Sequence, residues 1–304
     1  MILQAPAAVV MIRPHNFHPN PETRGDNAYQ SNAIGTATEI ADRARREFDD
    51  VVAKLRSVGV TVHDFDDKSG QTPDSVFPNN WFSTHAGGHV AVYPMYAETR
   101  RQERRWDVID MLKKDYRVAD VIDYSGLEQD GLALEGTGAM VLDHVGRVAY
   151  VAKSNRADPV LLERFCTNFN YEPIAFDAVD ADGNAVYHTN VLMAIGTQYA
   201  LAGLDMIVDD ERRETVRARL VESGHEMIAL SEHQISEFCG NAFELTGQDG
   251  LVLAISQRAL NALTSAQITI IEQSARILPL NIPTIETAGG SVRCMISGLH
   301  LAKR

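Results

Sequence analysis

VYHTNVLMAIG, residues 186–196, sets an ionisable ring and an amide directly before an apolar run. Taken alone, it describes a histidine where a polar loop enters a buried strand, an arrangement that ordinary cores also contain. It decides the fold because it recurs. FPNNWFSTH (77–85), LEGTGAMVLD (134–143), FCGNAFELTG (238–247) and GGSVRCMISGLHL (289–301) share its shape: a polar loop ends in a reactive or amide residue and runs into an apolar strand. Their anchors Asn80, Glu135, His188, Asn241 and Cys294 lie 55, 53, 53 and 53 residues apart. A fixed period on motifs of one shape marks a single supersecondary unit used five times.

Hydrophobic pattern fills in each period. A second apolar strand follows the anchor strand, as in HVAVYP, RVAYVAK, QYALAG and LVLAISQ. Next comes a helix, read from AETRRQERRWDVIDMLKKD, ADPVLLERFCTNF, DDERRETVRARLVESG and QRALNALTSAQITIIEQS. A third strand closes the unit in RVADVIDY, EPIAFDAV, HEMIALS and ILPLNIPTIET. The unit is β-β-α-β. One copy is split, with AAVVMIRP and the helix within SNAIGTATEIADRARREFDDVVAKLRSVG at the start of the chain and CMISGLHLAKR at its end. Such units cannot bury a core singly, and a copy shared between the ends predicts closure into a ring. The fold expected is α/β, a five-bladed α/β propeller of ββαβ repeats, occupying residues 1–304 as a single domain.

Composition narrows the function. With 304 residues and 45% apolar content, the chain has the makings of a sizeable core. Its formal charge of −13 argues against polyanion binding, which rests on clustered Lys and Arg. The one basic run, RRQERR (100–105), reads as the solvated face of a helix. No uninterrupted apolar stretch approaches the length of a membrane span, and MILQAPAAVVMIRP lacks the pattern of a secretion signal, so a cytoplasmic location with neither membrane nor nucleic-acid partner is expected. Self-association into a homodimer is compatible with the sequence. Cys166, Cys239 and Cys294 have no paired spacing, which predicts free thiols. Neither a metal nor a cofactor is expected: there is no Cys-x-x-Cys or His-Glu-x-x-His, and His15 and His18 in HNFH lack further ligands at a recognisable spacing.

In a closed ring the five anchors converge. A thiol, an imidazole and a carboxylate brought to one channel meet the needs of nucleophilic catalysis: the thiolate attacks, the imidazole moves protons and the third group orients the imidazole. Cys166 falls in a helix and Cys239 beside Phe238, as packing thiols do. Cys294 differs, because Arg293 precedes it and the glycines of GGSVRC permit close backbone approach, conditions that favour a thiolate.

The order of a Phe-x-x-Asn loop, a Glu-Gly loop, a His-x-Asn loop, a Gly-Asn loop and a terminal Gly-Gly-x-x-x-Cys resembles the guanidine-modifying, or amidinotransferase, superfamily. The closest resemblance is to its citrulline-utilisation hydrolase branch, through FPNNWFSTH, EGTG, HTNV and GGSVRCM. That resemblance implies a pentein fold, with Cys294 as nucleophile, His188 as general acid and base, and Glu135 orienting the histidine. It implies an amino-acid substrate, L-citrulline, hydrolysed to L-ornithine, carbon dioxide and ammonia, with an arginine dihydrolase or deiminase and a non-catalytic amino-acid-binding propeller as alternatives. In arginine-processing members, carboxylates stand where this chain has Asn80 and Asn190. An amide offers both a donor and an acceptor, which suits a neutral ureido group better than a guanidinium. Asn241, Asn16, Asn27, Gln30 and Arg293 are further candidates for holding the substrate.

Overall fold

The computed structural model describes residues 3–304. Its strands are β1 (Ala8–Pro14), β2 (Thr61–Asp67), β3 (Phe82–His85), β4 (His89–Val92), β5 (Asp120–Asp123), β6 (Val141–Asp143), β7 (Val148–Ala152), β8 (Glu172–Phe176), β9 (Met193–Ile195), β10 (Tyr199–Ala202), β11 (Glu226–Ala229), β12 (Phe243–Gly247), β13 (Gly250–Ser256), β14 (Ala275–Leu280) and β15 (Ser297–Gly298). They form five three-stranded sheets, ordered β15-β1-β2, β3-β4-β5, β6-β7-β8, β9-β10-β11 and β12-β13-β14. In each sheet the middle strand pairs antiparallel with the first and parallel with the third. This is the five-bladed α/β propeller of ββαβ units, and the split blade is the one joined from both chain ends.

The parallel pairing requires a crossover, and helices supply it. Helix Ala37–Ser57 links β1 to β2; a Thr36–Glu39 capping box starts it, and it buries Ile40, Ala44, Phe48, Val51 and Leu55 at helical spacing. Burying a side chain the size of Phe48 or Leu55 contributes roughly 1.5–3 kcal/mol. Two crossovers depart from the sequence expectation. QRALNALTSAQITIIEQS forms Gln257–Ala262 and Ser265–Glu272, because the second helix restarts on a Thr264–Gln267 capping box. RRQERR is not a solvated helix face. The helix Glu98–Arg101 stops and another begins at Trp106, and this break turns Arg100 and Glu103 inward, to 2% and 4% exposure.

The anchors do not run straight into their strands. Pro78–Asn80, Gly136–Ala139, Thr189–Leu192 and Val292–Met295 are single helical turns. They hold one another around the axis: Thr137 Oγ1 donates to the Asn79 carbonyl at 3.2 Å, Thr189 Oγ1 to that of Ala139 at 2.5 Å, and Asn241 Nδ2 to that of Asn190 at 2.9 Å. The Arg293 amide donates to the Asn241 side chain at 3.0 Å, and Thr84 Oγ1 donates to the Gly298 carbonyl at 3.1 Å, which completes the circuit. Among the described residues, no helix is long and apolar enough to cross a membrane.

Candidate active site

On one side of this ring, Cys294, His188 and Asn80 line a narrow pocket with Asp74, Arg100, Arg156 and Tyr187. Glu135 stands behind His188, its Oε2 2.9 Å from the ring Nε2. Burial works against the Glu135 carboxylate, but Arg156, the hydrogen bond from His188 and Arg100 together outweigh it and hold the group well below the usual carboxylate range. Burial is also the largest influence on His188. It pushes the imidazole down to about 4 despite the pull of Glu135, so the ring is neutral near pH 7. A carboxylate only accepts, hence Nε2 carries the proton and Nδ1 keeps a lone pair.

The sulfur of Cys294 accepts from two amides, Asn190 Nδ2 at 3.2 Å and Asn241 Nδ2 at 3.3 Å. Asn80 turns its Oδ1 to Arg100 Nη1 at 2.9 Å. Arginine has donors only, so this contact fixes the amide, and the NH₂ must point the other way. Asn80 Nδ2 and Asn190 Oδ1 are buried with no hydrogen-bond partner among the described residues. Leaving a buried polar atom unpaired costs about 1–3 kcal/mol; Asn80 lines the pocket itself, whereas Asn190 lies behind its wall, in contact with the Cys294 sulfur. Gly138 makes the constellation sterically feasible. A Cβ there would lie 2.1 Å from Asn80 Nδ2 and 2.8 Å from His188 Nδ1.

Not every candidate reaches the pocket. Asn27 lines it, but its amide is engaged, donating to the Ala288 carbonyl at 3.2 Å and accepting from the Tyr29 amide at 3.1 Å. Gln30 braces the same loop, with Nε2 2.7 Å from Thr23 Oγ1. Asn16 is drawn away, donating to the Gly70 carbonyl at 2.9 Å. Arg293 is also misplaced by the sequence reading. Successive residues on a helical turn diverge by roughly 100°, so Cys294 faces the pocket while the Arg293 guanidinium lies over Phe243 at 4.1 Å. Cys166 and Cys239 are packing thiols, each pushed up to about 12 by burial.

Sequence reasoning missed Arg100, Arg156 and Asp74. Arg100 grips Glu103 through two 2.9 Å bonds, and Arg156 holds Asp26 through two more, with Nε at 2.9 Å. Both arginines lie close to Glu135, Arg100 Nη1 at 3.2 Å and Arg156 Nη1 at 3.7 Å. The signal was in the period: Arg100 and Arg156 lie 56 residues apart, close to the 55 that separate Asn80 and Glu135.

Residues 13–301 match the family model described as N,N dimethylarginine dimethylhydrolase, eukaryotic. No curated protein matches the chain in sequence. Among solved structures, it is similar to the N-terminal domain of ArgZ, an arginine dihydrolase of the ornithine-ammonia cycle in cyanobacteria, with 17% identity and a TM-score of 0.71 over 95% of this chain and 96% of that one. Against full ArgZ it covers 95% of itself but 40% of the other chain, with 16% identity and a TM-score of 0.74. A dimethylarginine dimethylaminohydrolase carrying an S-methyl-L-thiocitrulline adduct matches at 12% identity and a TM-score of 0.65, over 98% and 99% of the two chains. At these identities the likeness is one of fold.

Proposed function

The chain belongs to the N,N dimethylarginine dimethylhydrolase family, whose members are hydrolases of carbon–nitrogen bonds, and from that premise we propose that it hydrolyses L-citrulline to L-ornithine, carbon dioxide and ammonia. The observation that carries this reading is the amide of Asn80, whose NH₂ is aimed away from Arg100. A donor there complements the oxygen of a ureido group and offers nothing to a guanidinium, which has only donors. Asn190 Oδ1 supplies the matching acceptor for a ureido N–H.

Cys294 attacks the ureido carbon as the thiolate, and Asn80 holds the oxygen on which charge develops. His188, having taken the thiol proton at Nδ1, returns it to the departing nitrogen, so ornithine leaves and a carbamoyl thioester remains on the sulfur. Water, deprotonated by the same nitrogen, cleaves that thioester to carbamate, which decomposes to carbon dioxide and ammonia. Glu135 keeps the ring oriented and stabilises its transient positive charge. We further infer that residues 1–304 form one domain and that the enzyme works in the cytoplasm on a free amino acid, which its three free cysteines support.

Hydrolysis of arginine by the same machinery is the second reading. It is favoured by Asp74, a buried carboxylate in the pocket wall, and by the arginine dihydrolases among the similar structures. Incubation with citrulline and arginine separately, following ornithine and ammonia, decides between them. Ornithine from citrulline alone supports the first reading, and ornithine from arginine alone rejects it.

A further inference from the structure

On the side of the ring away from Cys294, one arginine stands without an acid beside it. The Arg293 guanidinium uses Nη1 on the Ile296 carbonyl at 2.8 Å, while Nε and Nη2 have no partner among the described residues. No carboxylate pairs with it, and burial lowers it to about 10. It shares a cavity wall with His144 and His300, whose rings stack with centroids 3.8 Å apart. His144 spends Nδ1 on the Tyr171 hydroxyl at 2.8 Å. The adjoining cavity, of about 490 Å³, is lined by both histidines and by Lys303 but not by Arg293, which stands behind the histidine pair. In a chain of formal charge −13, the two fully buried arginines each have a carboxylate within reach, Arg100 with Glu103 and Arg156 with Asp26, whereas the half-buried Arg293 has none among the described residues.

We propose that this mouth of the channel binds a small oxyanion of the phosphate or sulfate type, held by the free edge of Arg293 beside the His144–His300 stack. The planar Nε/Nη2 edge matches two oxygens of one anion, which a halide cannot offer. A half-buried cation with no counter-charge is under-compensated, and an anion entering from solvent relieves that cost. The site is separate from the catalytic pocket, although Arg293 and Cys294 share one helical turn and the Arg293 amide is tied to Asn241, which contacts the sulfur.

The test is calorimetric titration of the full chain with inorganic phosphate at fixed pH, paired with melting curves in phosphate and in sodium chloride of equal ionic strength. One saturable phosphate per chain is expected, with a rise in melting temperature that chloride does not reproduce. Arg293→Met should weaken binding by at least about tenfold, and His300→Gln should weaken it less while melting cooperatively. Unchanged affinity in both variants would assign the phosphate to the arginines of the catalytic pocket and overturn the proposal. Absence of saturable binding, or an equal effect of chloride, would overturn it as well.

Discussion

The two ends of the propeller axis hold arginine in opposite ways. On the catalytic side, Arg100 and Arg156 are saturated with carboxylates, and their remaining capacity goes to fixing Asn80 and Glu135. On the far side, Arg293 has a ring face, a carbonyl and no acid. The same side chain is thus a rigid brace where its charge is balanced and an open receptor where it is not. What a buried cation can do depends on which of its five donors are already used.

The catalytic end is the more breakable. Cys294→Ser should abolish turnover on any substrate, while Cys166→Ser and Cys239→Ser, which remove thiols packed away from the pocket, should retain most of it; steady-state ornithine release measures all three. His188→Ala should cost on the order of 100- to 10,000-fold. Gly138→Ala sharpens the point, because it removes no reactive group and changes only their spacing. Its methyl would press Asn80 away from His188, so kcat/KM should fall about 100-fold while the far-UV spectrum is retained. If Gly138→Ala were as active as the parent, the close approach of Asn80 and His188 would not matter to catalysis.

Acid should weaken both ends, the far one more. Burial lowers His188 and His300 to about 4 and places His85 and His144 well below their free value of 6.5. The unfolded chain therefore binds more protons, and stability rises with pH across this window. Full stability is present above about pH 6.5 and is lost as the pH falls toward 4, by about 3 kcal/mol each for His188 and His300, with His85 and His144 acting in the same direction. Urea melts between pH 7 and 4 should show the loss. His300→Gln, at the far end, should flatten the dependence.

The five-fold repeat was legible because each blade needs an apolar strand at a fixed distance from its channel residue, and that constraint leaves a period in the sequence. Cys294, His188, Glu135 and Asn80 were legible for the same reason, as anchors. Arg100 was hidden inside RRQERR, since composition cannot reveal that a helix stops at Arg101 and turns one arginine of the run inward. Arg293 misled in the reverse sense. Adjacency to Cys294 in sequence suggested adjacency in space, and a helical turn separates what an extended strand or a loop could have kept together. The pairing of Asn80 with Arg100 could not be read at all, because it depends on contact between a single turn and a helix in the same blade that lie 20 residues apart.

The most direct test concerns Asn80 and the charge of the substrate. kcat/KM for citrulline and for arginine should be measured with the parent, Asn80→Asp, Asn190→Asp and the double variant. A carboxylate at residue 80 has no N–H to offer the ureido oxygen, and each mismatch should shift preference by about 1–3 kcal/mol, roughly 5- to 150-fold. The parent should prefer citrulline, each Asp variant should lose citrulline activity, and the ratio should move toward arginine, furthest in the double variant. A parent that prefers arginine, or a ratio that neither substitution moves, would contradict the citrulline reading.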